Sequence, residues 1–336
     1  MSLVRAPYFM TSAPLRLGTR GSQLALYQAN TVARLIADAG GPACDLVIIK
    51  TSGDKLQERP LSEVGGKRLF VKEIEDALVR NEIDLAVHSS KDMPALLPDG
   101  LEIAGVLERE DPRDAVVLPS SKTLHAESIE DLAAALGQSP SIGTASVRRV
   151  ALLTRLFPNA KFSPMRGNLD TRLRKLDGGE HDAIVLAAAG LRRLGFASRI
   201  SFTLPLSACV PAPGQGIIAI EIRTGDERVQ RAVDAITDRV TAQALEAERG
   251  VVDALGGGCQ TPIGALATPL RDDQFELVAA VVAIDGSRMM RTVVHGARSG
   301  ARELGVRAAH ELLGQGAAEI LDEARRVQAH NGHKSP

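Results

Sequence analysis

Short apolar runs alternate with segments of helical periodicity along the first two thirds of the chain. Residues 15–18 predict a strand, and residues 23–37 repeat apolar side chains at helical spacing behind Ser22, a suitable N-cap. The remaining apolar runs predict strands at residues 46–50, 85–87, 103–107, 115–118, 141–143, 160–165, 183–190 and 217–222. Strands that alternate with helices predict an α/β fold with parallel sheets and right-handed crossovers.

The last third of the chain has a different pattern. Residues 226–255 have a helical period, residues 277–284 and 289–294 predict a hairpin around Asp285 and Gly286, and residues 301–327 predict a final helix. Two segments indicate hinges between domains. One is the charged stretch 108–114, which Pro112 interrupts. The other is the proline- and glycine-rich stretch 211–216, where the chain is expected to cross back between the domains.

Five polar residues follow the apolar run at residues 85–87, and Pro94 comes two residues after the last of them. They are His88, Ser89, Ser90, Lys91 and Asp92. In open α/β sheets ligands bind at the carboxyl ends of strands, so this stretch is a candidate site. The alternative is a solvated turn that closes the strand.

Basic residues recur at predicted strand-to-helix turns. Arg20 precedes the first helix, Arg148 and Arg149 lie in the first turn of another, and Arg166 opens a third. Cations there oppose the helix dipole, and a bound anion would relieve that conflict. For Arg20 a neighbouring carboxylate of the protein is an equal alternative. Residues 141–200 hold eleven Lys and Arg against four Asp and Glu in a chain of net charge −1, which favours an anionic ligand over solvated helix faces alone.

The three cysteines, Cys44, Cys209 and Cys259, lack the spacing of a metal site or a disulfide framework, and we expect no metal. Cys259 follows three glycines, so it is a candidate nucleophile or covalent anchor, unless it is a small residue packed under a loop. The apolar runs predict neither a signal peptide nor a membrane span, and we expect a cytoplasmic protein. The near-zero net charge gives no argument for nucleic acid or membrane surfaces.

Together these segments resemble the porphobilinogen deaminase family, in order, from about residue 15 to about residue 321. The motifs that carry the resemblance are Leu17-Gly-Thr-Arg20-Gly-Ser22, the loop from Lys50, Gly65-Gly-Lys67 with Phe70-Val-Lys72-Glu73, His88-Ser-Ser-Lys-Asp-Met-Pro94, Gly143-Thr-Ala-Ser-Val-Arg-Arg149, Arg166-Gly-Asn168, Pro213-Gly-Gln-Gly216 and Gly257-Gly-Cys259-Gln260. Ser90 departs from the family, in which a larger apolar residue is common, but the chemistry does not depend on it.

The resemblance implies a fold and a reaction. The expected fold has two α/β domains like those of periplasmic binding proteins, residues 14–110 with 215–235 and residues 111–214, and a smaller α+β C-terminal domain at residues 236–330. The family joins four porphobilinogens head to tail into hydroxymethylbilane, with loss of ammonia, on a covalent dipyrromethane cofactor. We expect a monomeric transferase of tetrapyrrole biosynthesis.

The resemblance also assigns residues by position. Cys259 would carry the cofactor and Asp92 would be the catalytic residue. Further cofactor-binding residues would be Lys91, Asp92, Ser146, Arg148, Arg149 and Arg172. Substrate-binding residues would be Arg20, Ser22, Arg166, Arg193 and Lys67.

Elementary chemistry agrees with these assignments. Each pyrrole carries an acetate and a propionate, and arginine binds planar carboxylates in bidentate pairs. Loss of ammonia leaves a cationic azafulvene, which one fixed carboxylate can stabilise. Two alternative functions stay open. One is a solute-binding protein with the same cleft, which would not need Cys259, and the other is a different transferase or lyase that acts on a polycarboxylate.

Overall fold

The computed structural model describes residues 13–55, 71–122, 126–257 and 261–332. In these ranges the strands are β1 Leu15–Thr19, β2 Cys44–Ile48, β3 Leu85–Ser89, β4 Leu101–Val106, β5 Asp114–Val117, β6 Ser141–Gly143, β7 Lys161–Ser163, β8 Ala183–Ala187, β9 Phe202–Thr203, β10 Ile218–Arg223, β11 Ile263–Pro269, β12 Gln274–Val282 and β13 Met289–Ala297. The helices are α1 Gln23–Asp38, α2 Ser52–Lys55, α3 Lys72–Val79, α4 Ile129–Leu136, α5 Val147–Leu156, α6 Leu169–Asp177, α7 Ala188–Arg193, α8 Glu227–Asp234, α9 Arg239–Ala254, α10 Ala301–Gly314 and α11 Ala317–Gly332.

The strands form three sheets, which define three units. The first unit contains the sheet β2-β1-β3-β10-β4, the second contains β7-β6-β8-β5-β9, and the third contains β11-β12-β13. The predicted fold class is therefore confirmed: two α/β units precede a smaller unit of antiparallel strands and helices. None of the described helices combines the length and the apolar character that a membrane crossing needs.

The predicted parallel pairing is confirmed for three strands of each five-stranded sheet, but both sheets are mixed. β1 runs parallel to β2 and β3, but β10 is antiparallel to both β3 and β4. In the second sheet β6 is parallel to β7 and β8, whereas β5 is antiparallel to β8 and β9. The reason is connectivity, because β5 follows a strand of the first unit and β10 follows a strand of the second, and each runs antiparallel to its neighbours in the sheet it joins.

Two adjacent chain segments connect the first and second units. The backbone amide of Leu107 donates to the carbonyl of Ile218 at 3.1 Å, and the amide of Glu110 donates to the carbonyl of Gly216 at 3.1 Å. Gly216 has φ +87°, and a Cβ there would lie 2.2 Å from the Glu110 carbonyl oxygen. Only glycine permits this close crossing. Both predicted hinge stretches lie in this double crossing.

The cap predicted at Ser22 is confirmed, because its side chain accepts from the amide of Ala25. Ser128 forms a capping box with Asp131 at the start of α4. The predicted helix 226–255 is divided, because the Asp238 side chain caps a new helix, α9. The predicted final helix breaks before Gly316, which has φ +99°.

The third unit packs its sheet against α9, α10 and α11. Its core includes Val251, Phe275, Leu277 and Leu312, all buried. The predicted hairpin is present, with Val282 opposite Met289. β11, which we did not predict, pairs along β12 from Ile263 opposite Val281. Its sequence contains Gly264 and ends at Pro269, which weakens the strand pattern.

Candidate active site

The chain fixes Asp92 by a tight turn at the end of β3. Residues Ser90–Asp92 form one 3-10 turn, and the amide of Met93 donates to the Ser90 carbonyl at 3.1 Å. The amide of Ser90 donates to the Ile217 carbonyl at 3.0 Å, so the turn is attached to the hinge crossing. Ser90 is buried and Asp92 is exposed. The backbone is therefore held while the carboxylate faces outward.

Two cavities meet at this turn and share Lys91, Asp92, Ala145, Ser146 and Arg149. We call the cavity of about 230 Å³ the inner lobe, which also faces the third unit through Leu245, Arg249, Val252, Thr261 and Ile263. We call the cavity of about 340 Å³ between the first two units the outer lobe. Because the shared residues line both, the lobes are two parts of one cleft.

The cleft brings together most of the site residues that the sequence predicted. The inner lobe is lined by Lys91, Asp92, Ser146, Arg148 and Arg149. The outer lobe is lined by Arg20, Ser22, Lys91, Asp92, Ser146, Arg149, Arg166 and Arg172. Arg193 is not among the residues lining either lobe, and its Nη2 donates to the Gly216 carbonyl at 2.7 Å. Lys67 and Cys259 lie outside the described residues.

The anion at the first turn of α5 is a carboxylate of the protein. We expected Arg148 and Arg149 to await a bound anion, but both are buried against Asp114. Arg148 Nη1 lies 2.7 Å from Asp114 Oδ2, and Arg149 Nη2 lies 2.7 Å from Oδ1. Burial alone would raise the pKa of Asp114, but the two guanidinium charges outweigh it and hold that pKa well below its usual range.

Cys209 belongs to the same buried group. Its Sγ lies 3.2 Å from Asp114 Oδ2, and Arg148 Nη1 lies 3.5 Å from the sulfur. Burial and the Asp114 charge raise the pKa of Cys209 to about 12, so the thiol stays protonated and donates to the carboxylate.

Arg20 also pairs with a carboxylate of the protein, one of the two alternatives for this residue. Its Nη2 lies 2.5 Å from Asp54 Oδ1, and the two side chains are 22% and 20% exposed. Burial would raise the pKa of Asp54, but Arg20 and Thr51 lower it below its usual value. This pair is accessible from solvent, unlike the pairs at Asp114. Ser22 stands beside it as the cap of α1.

Positive charge is concentrated between the units. Lys91 Nζ lies 3.3 Å from Gln215 Oε1, and burial, followed by the nearby Arg149 charge, lowers the pKa of Lys91 to about 8. Burial and Arg149 also lower the pKa of Arg172 to about 10. Burial is the first cause of both shifts, and the neighbouring guanidinium charge adds to it. A ligand that carries several carboxylates would stabilise the charged forms of Lys91 and Arg172.

Sequence reasoning missed three residues that organise the cleft: Asp114, Gln215 and Glu248. Asp114 stood inside a charged stretch that we interpreted only as a hinge, and Gln215 stood inside a motif that we interpreted only as a crossing. Glu248 carried no signal beyond its place on a helical face. A single acidic residue directly before the apolar run 115–118 was the one available clue. In the described residues no group of His, Cys, Asp and Glu is arranged to hold a metal ion.

Two family models match the chain. The model described as "Porphobilinogen deaminase, dipyromethane cofactor binding domain" matches residues 15–231, and "Porphobilinogen deaminase, C-terminal domain" matches residues 242–314. A porphobilinogen deaminase of Syntrophobacter fumaroxidans is 44% identical over 95% of this chain and all of its own length. One of Geobacter metallireducens is 44% identical over 94% of this chain and 96% of its own length.

Solved structures show a more distant likeness. Immunogenic lipoprotein A from Vibrio vulnificus is 15% identical, over 70% of this chain and 99% of its own, with a TM-score of 0.42. An ancestral cationic amino acid solute binding protein is 15% identical, over 70% of this chain and 94% of its own, with a TM-score of 0.41.

Proposed function

The chain belongs to the porphobilinogen deaminase family, and from that premise we propose that Asp92 is the catalytic residue of its cleft. The protein is a transferase of tetrapyrrole biosynthesis that condenses four porphobilinogens head to tail into hydroxymethylbilane and releases ammonia at each step. It uses a dipyrromethane cofactor. The observation that carries our assignment is the position of the Asp92 carboxylate, exposed where the two lobes meet.

Asp92 is suited to both halves of the deamination. Its carboxylate can relay a proton to the leaving amine, which departs as ammonia. It can then accept from a pyrrole N–H and stabilise the cation that remains on the substrate carbon. Asp170 is the other carboxylate lining the outer lobe, but it lies 3.5 Å from Arg174 and does not line the inner lobe. Asp92 is therefore the carboxylate placed to serve both lobes.

The inner lobe fits the dipyrromethane cofactor. Lys91 and Arg149 line it and offer cationic donors to the four carboxylates of two pyrrole rings, and Ser146 adds a hydroxyl. We propose Cys259 as the point of attachment, because Thr261, two residues later in the chain, lines this lobe. When bound, the cofactor supplies the terminal pyrrole carbon to which the first substrate is joined. Arg148 and Arg172 complete the proposed cofactor set.

The outer lobe fits the incoming porphobilinogen. We assign Arg20, Ser22 and Arg166 to its acetate and propionate groups, since all three line this lobe. Arg20 would exchange Asp54 for a substrate carboxylate, a like-for-like exchange at a solvent-accessible pair. Arg193 and Lys67 stay predicted substrate residues by family position alone.

We further propose that the three units are domains with limits near residues 110, 214 and 235. A monomer in the cytoplasm, acting on porphobilinogen and not on nucleic acid or membranes, remains our prediction. The free thiols of Cys44 and Cys209 are compatible with a reducing compartment.

Intact-mass spectrometry tests the proposed attachment. The active protein should exceed its chain mass by two porphobilinogens less two ammonias, and peptide mapping should place the adduct on Cys259. Cys259→Ser should lose the adduct and the activity, whereas Cys44→Ser, at a half-buried thiol on β2, should keep both. A fully active protein with the bare chain mass would refute the attachment. It would favour a different transferase or lyase.

A further inference from the structure

Asp114 is the point at which four side chains meet. It is the first residue of β5, directly after the hinge crossing, and it is 0% exposed. Asp114 Oδ2 accepts from Arg148 Nη1 at 2.7 Å and from the Cys209 thiol at 3.2 Å. Asp114 Oδ1 accepts from Arg149 Nε and from Gln215 Nε2, each at 2.9 Å. These contacts use both oxygens of the carboxylate.

Each of the two arginines also donates to a backbone carbonyl of the protein. Arg148 Nη1 also donates to the Val210 carbonyl at 2.7 Å, and Arg149 Nη1 donates to the Val185 carbonyl at 3.0 Å. Both residues nevertheless line the inner lobe. Two guanidinium groups share one carboxylate, so the group as a whole keeps one unit of positive charge facing the cleft.

Gln215 extends this arrangement to the first unit. Its Oε1 lies 3.3 Å from Lys91 Nζ and 3.4 Å from Arg149 Nη2, while its Nε2 donates to Asp114 and to the Pro112 carbonyl. Gln215 stands between Gly214 and Gly216, which have φ +72° and +87°. The carboxylate of Asp114 therefore fixes Gln215, and Gln215 fixes the ammonium group next to Asp92.

We propose that Asp114 is a positioning residue for the condensation: it is the permanent counter-ion that holds Arg148, Arg149 and, through Gln215, Lys91 in the geometry that the cofactor and the growing chain require. The proposal rests on the proposed function and deepens it. Asp114 itself does not touch the ligand. The ion pair of Arg20 with Asp54 differs from the pairs at Asp114, because it is partly exposed and a ligand carboxylate can displace Asp54 from Arg20.

The kinetics of Asp114→Asn distinguish positioning from a structural role. The substitution preserves shape but leaves two guanidinium charges without a counter-ion, so the cleft becomes more positive by one charge. Binding of a polycarboxylate should not weaken, and KM should stay equal or fall. The arginines would turn toward the ligand, so kcat per cofactor-loaded molecule should fall about 10–100-fold, as expected for a displacement near 1 Å.

The pH profile gives a second readout. The groups that act on Lys91 are Arg149 and Arg148, which lower its pKa, and Asp92 and Asp114, which raise it. Removing the Asp114 charge should therefore lower the pKa of Lys91 further. The alkaline limb of kcat should move to lower pH in Asp114→Asn. A purely structural role would leave this limb in place.

A charge-balanced variant keeps the test decisive if Asp114→Asn folds poorly. Asp114→Asn with Arg148→Met has the net charge of the parent and should fold, but it lacks the counter-ion of Arg149. Because Arg148 belongs to the proposed cofactor set, we compare this variant with Arg148→Met alone, and we expect a lower kcat per cofactor-loaded molecule in the double variant. Cys44→Ser, which changes a thiol on β2 outside this group, should match the parent.

The experiment measures cofactor content by intact mass, fold by circular dichroism, and ammonia release against substrate concentration and pH. Parent values of kcat per loaded molecule and of the alkaline limb, in Asp114→Asn or in the charge-balanced variant, would overturn the proposal. Failure of the proposed function would be visible separately, because the parent protein itself would then carry no adduct and release no ammonia.

Discussion

Glu248 should attach the third unit to the hinge crossing, and its replacement should be strongly destabilising. The residue lies on α9 with an exposed fraction of 0%. Its Oε1 accepts from Arg109 Nη1 at 2.7 Å and from the amide of Ala267 at 2.8 Å. Its Oε2 accepts from Arg109 Nη2 and from the amide of Gly214, each at 2.7 Å. One carboxylate thus connects α9, β11 and both crossing segments.

The magnitude for Glu248→Gln follows from these four bonds. A glutamine keeps one acceptor oxygen, but its NH2 group would face one N–H of Arg109 and one backbone N–H. A buried donor without an acceptor costs about 1–3 kcal/mol, and removing one partner of a buried ion pair costs about 3–5 kcal/mol. These two effects overlap, because both count the same lost oxygen. We therefore expect a loss of about 3–5 kcal/mol in the free energy of unfolding.

Urea unfolding followed by circular dichroism measures this loss, since the chain has no tryptophan. Three units need not unfold together, so each transition is fitted separately. Glu246→Gln is the matched control, an exposed carboxylate on the same helix, and should change little. Arg109→Met with Glu248→Gln should be less destabilised than the sum of the single changes, because no buried charge is left unpaired. A loss below about 1 kcal/mol for Glu248→Gln would refute this reasoning.

Two further predictions concern the cationic groups of the cleft. Arg149→Leu should prevent normal cofactor loading, measured by intact mass, because it removes a cation from both lobes and a partner from Asp114. The control is Arg174→Leu, at a side chain that is 75% exposed on α6, and it should load normally. Equal loading of the Arg149→Leu and Arg174→Leu variants would contradict the assignment. In cofactor-free protein, binding of a polycarboxylate should weaken as pH rises through about 8, where Lys91 loses its proton, and Lys91→Met should lack this dependence. Because the pKa of Lys91 in the folded protein lies below its ordinary value of 10.5, Lys91 should also make the free energy of unfolding increase as pH rises from about 8 to 10.5.

The sequence predicted the fold well where the signal was local. Apolar runs and caps such as Ser22 depend on near neighbours, and the corresponding elements are present. The direction of a strand depends on where a distant segment of the chain returns to the sheet. A run of apolar residues therefore could not predict that β10 is antiparallel to its neighbours. β11 was missed for a similar reason, since it is stabilised by pairing along β12 and not by its own pattern.

The site was predicted in composition but not in its internal pairing. The basic residues predicted at helix starts line one cleft, because strand ends and helix starts converge at one edge of each sheet. The periodicity could not show that Asp114 already forms ion pairs with two of them, since it lies 34 and 35 residues away from Arg148 and Arg149 in sequence. The family resemblance supplied the positions of Asp92 and Cys259, but it said nothing about which cations a ligand can displace.

Ammonia release in a single turnover tests the role of Asp92 most directly. Asp92→Asn keeps the size of an exposed side chain and removes its charge, so it should fold like the parent, and its rate is compared per cofactor-loaded molecule. We predict that it releases ammonia more slowly than the parent by about 10²–10⁴-fold or more, since general acid–base catalysis typically contributes a factor in that range. Asp92→Glu should retain more activity, and Asp170→Asn, which changes the other carboxylate of the outer lobe, should stay near the parent rate. Release at the parent rate by correctly folded, cofactor-loaded Asp92→Asn would contradict the account.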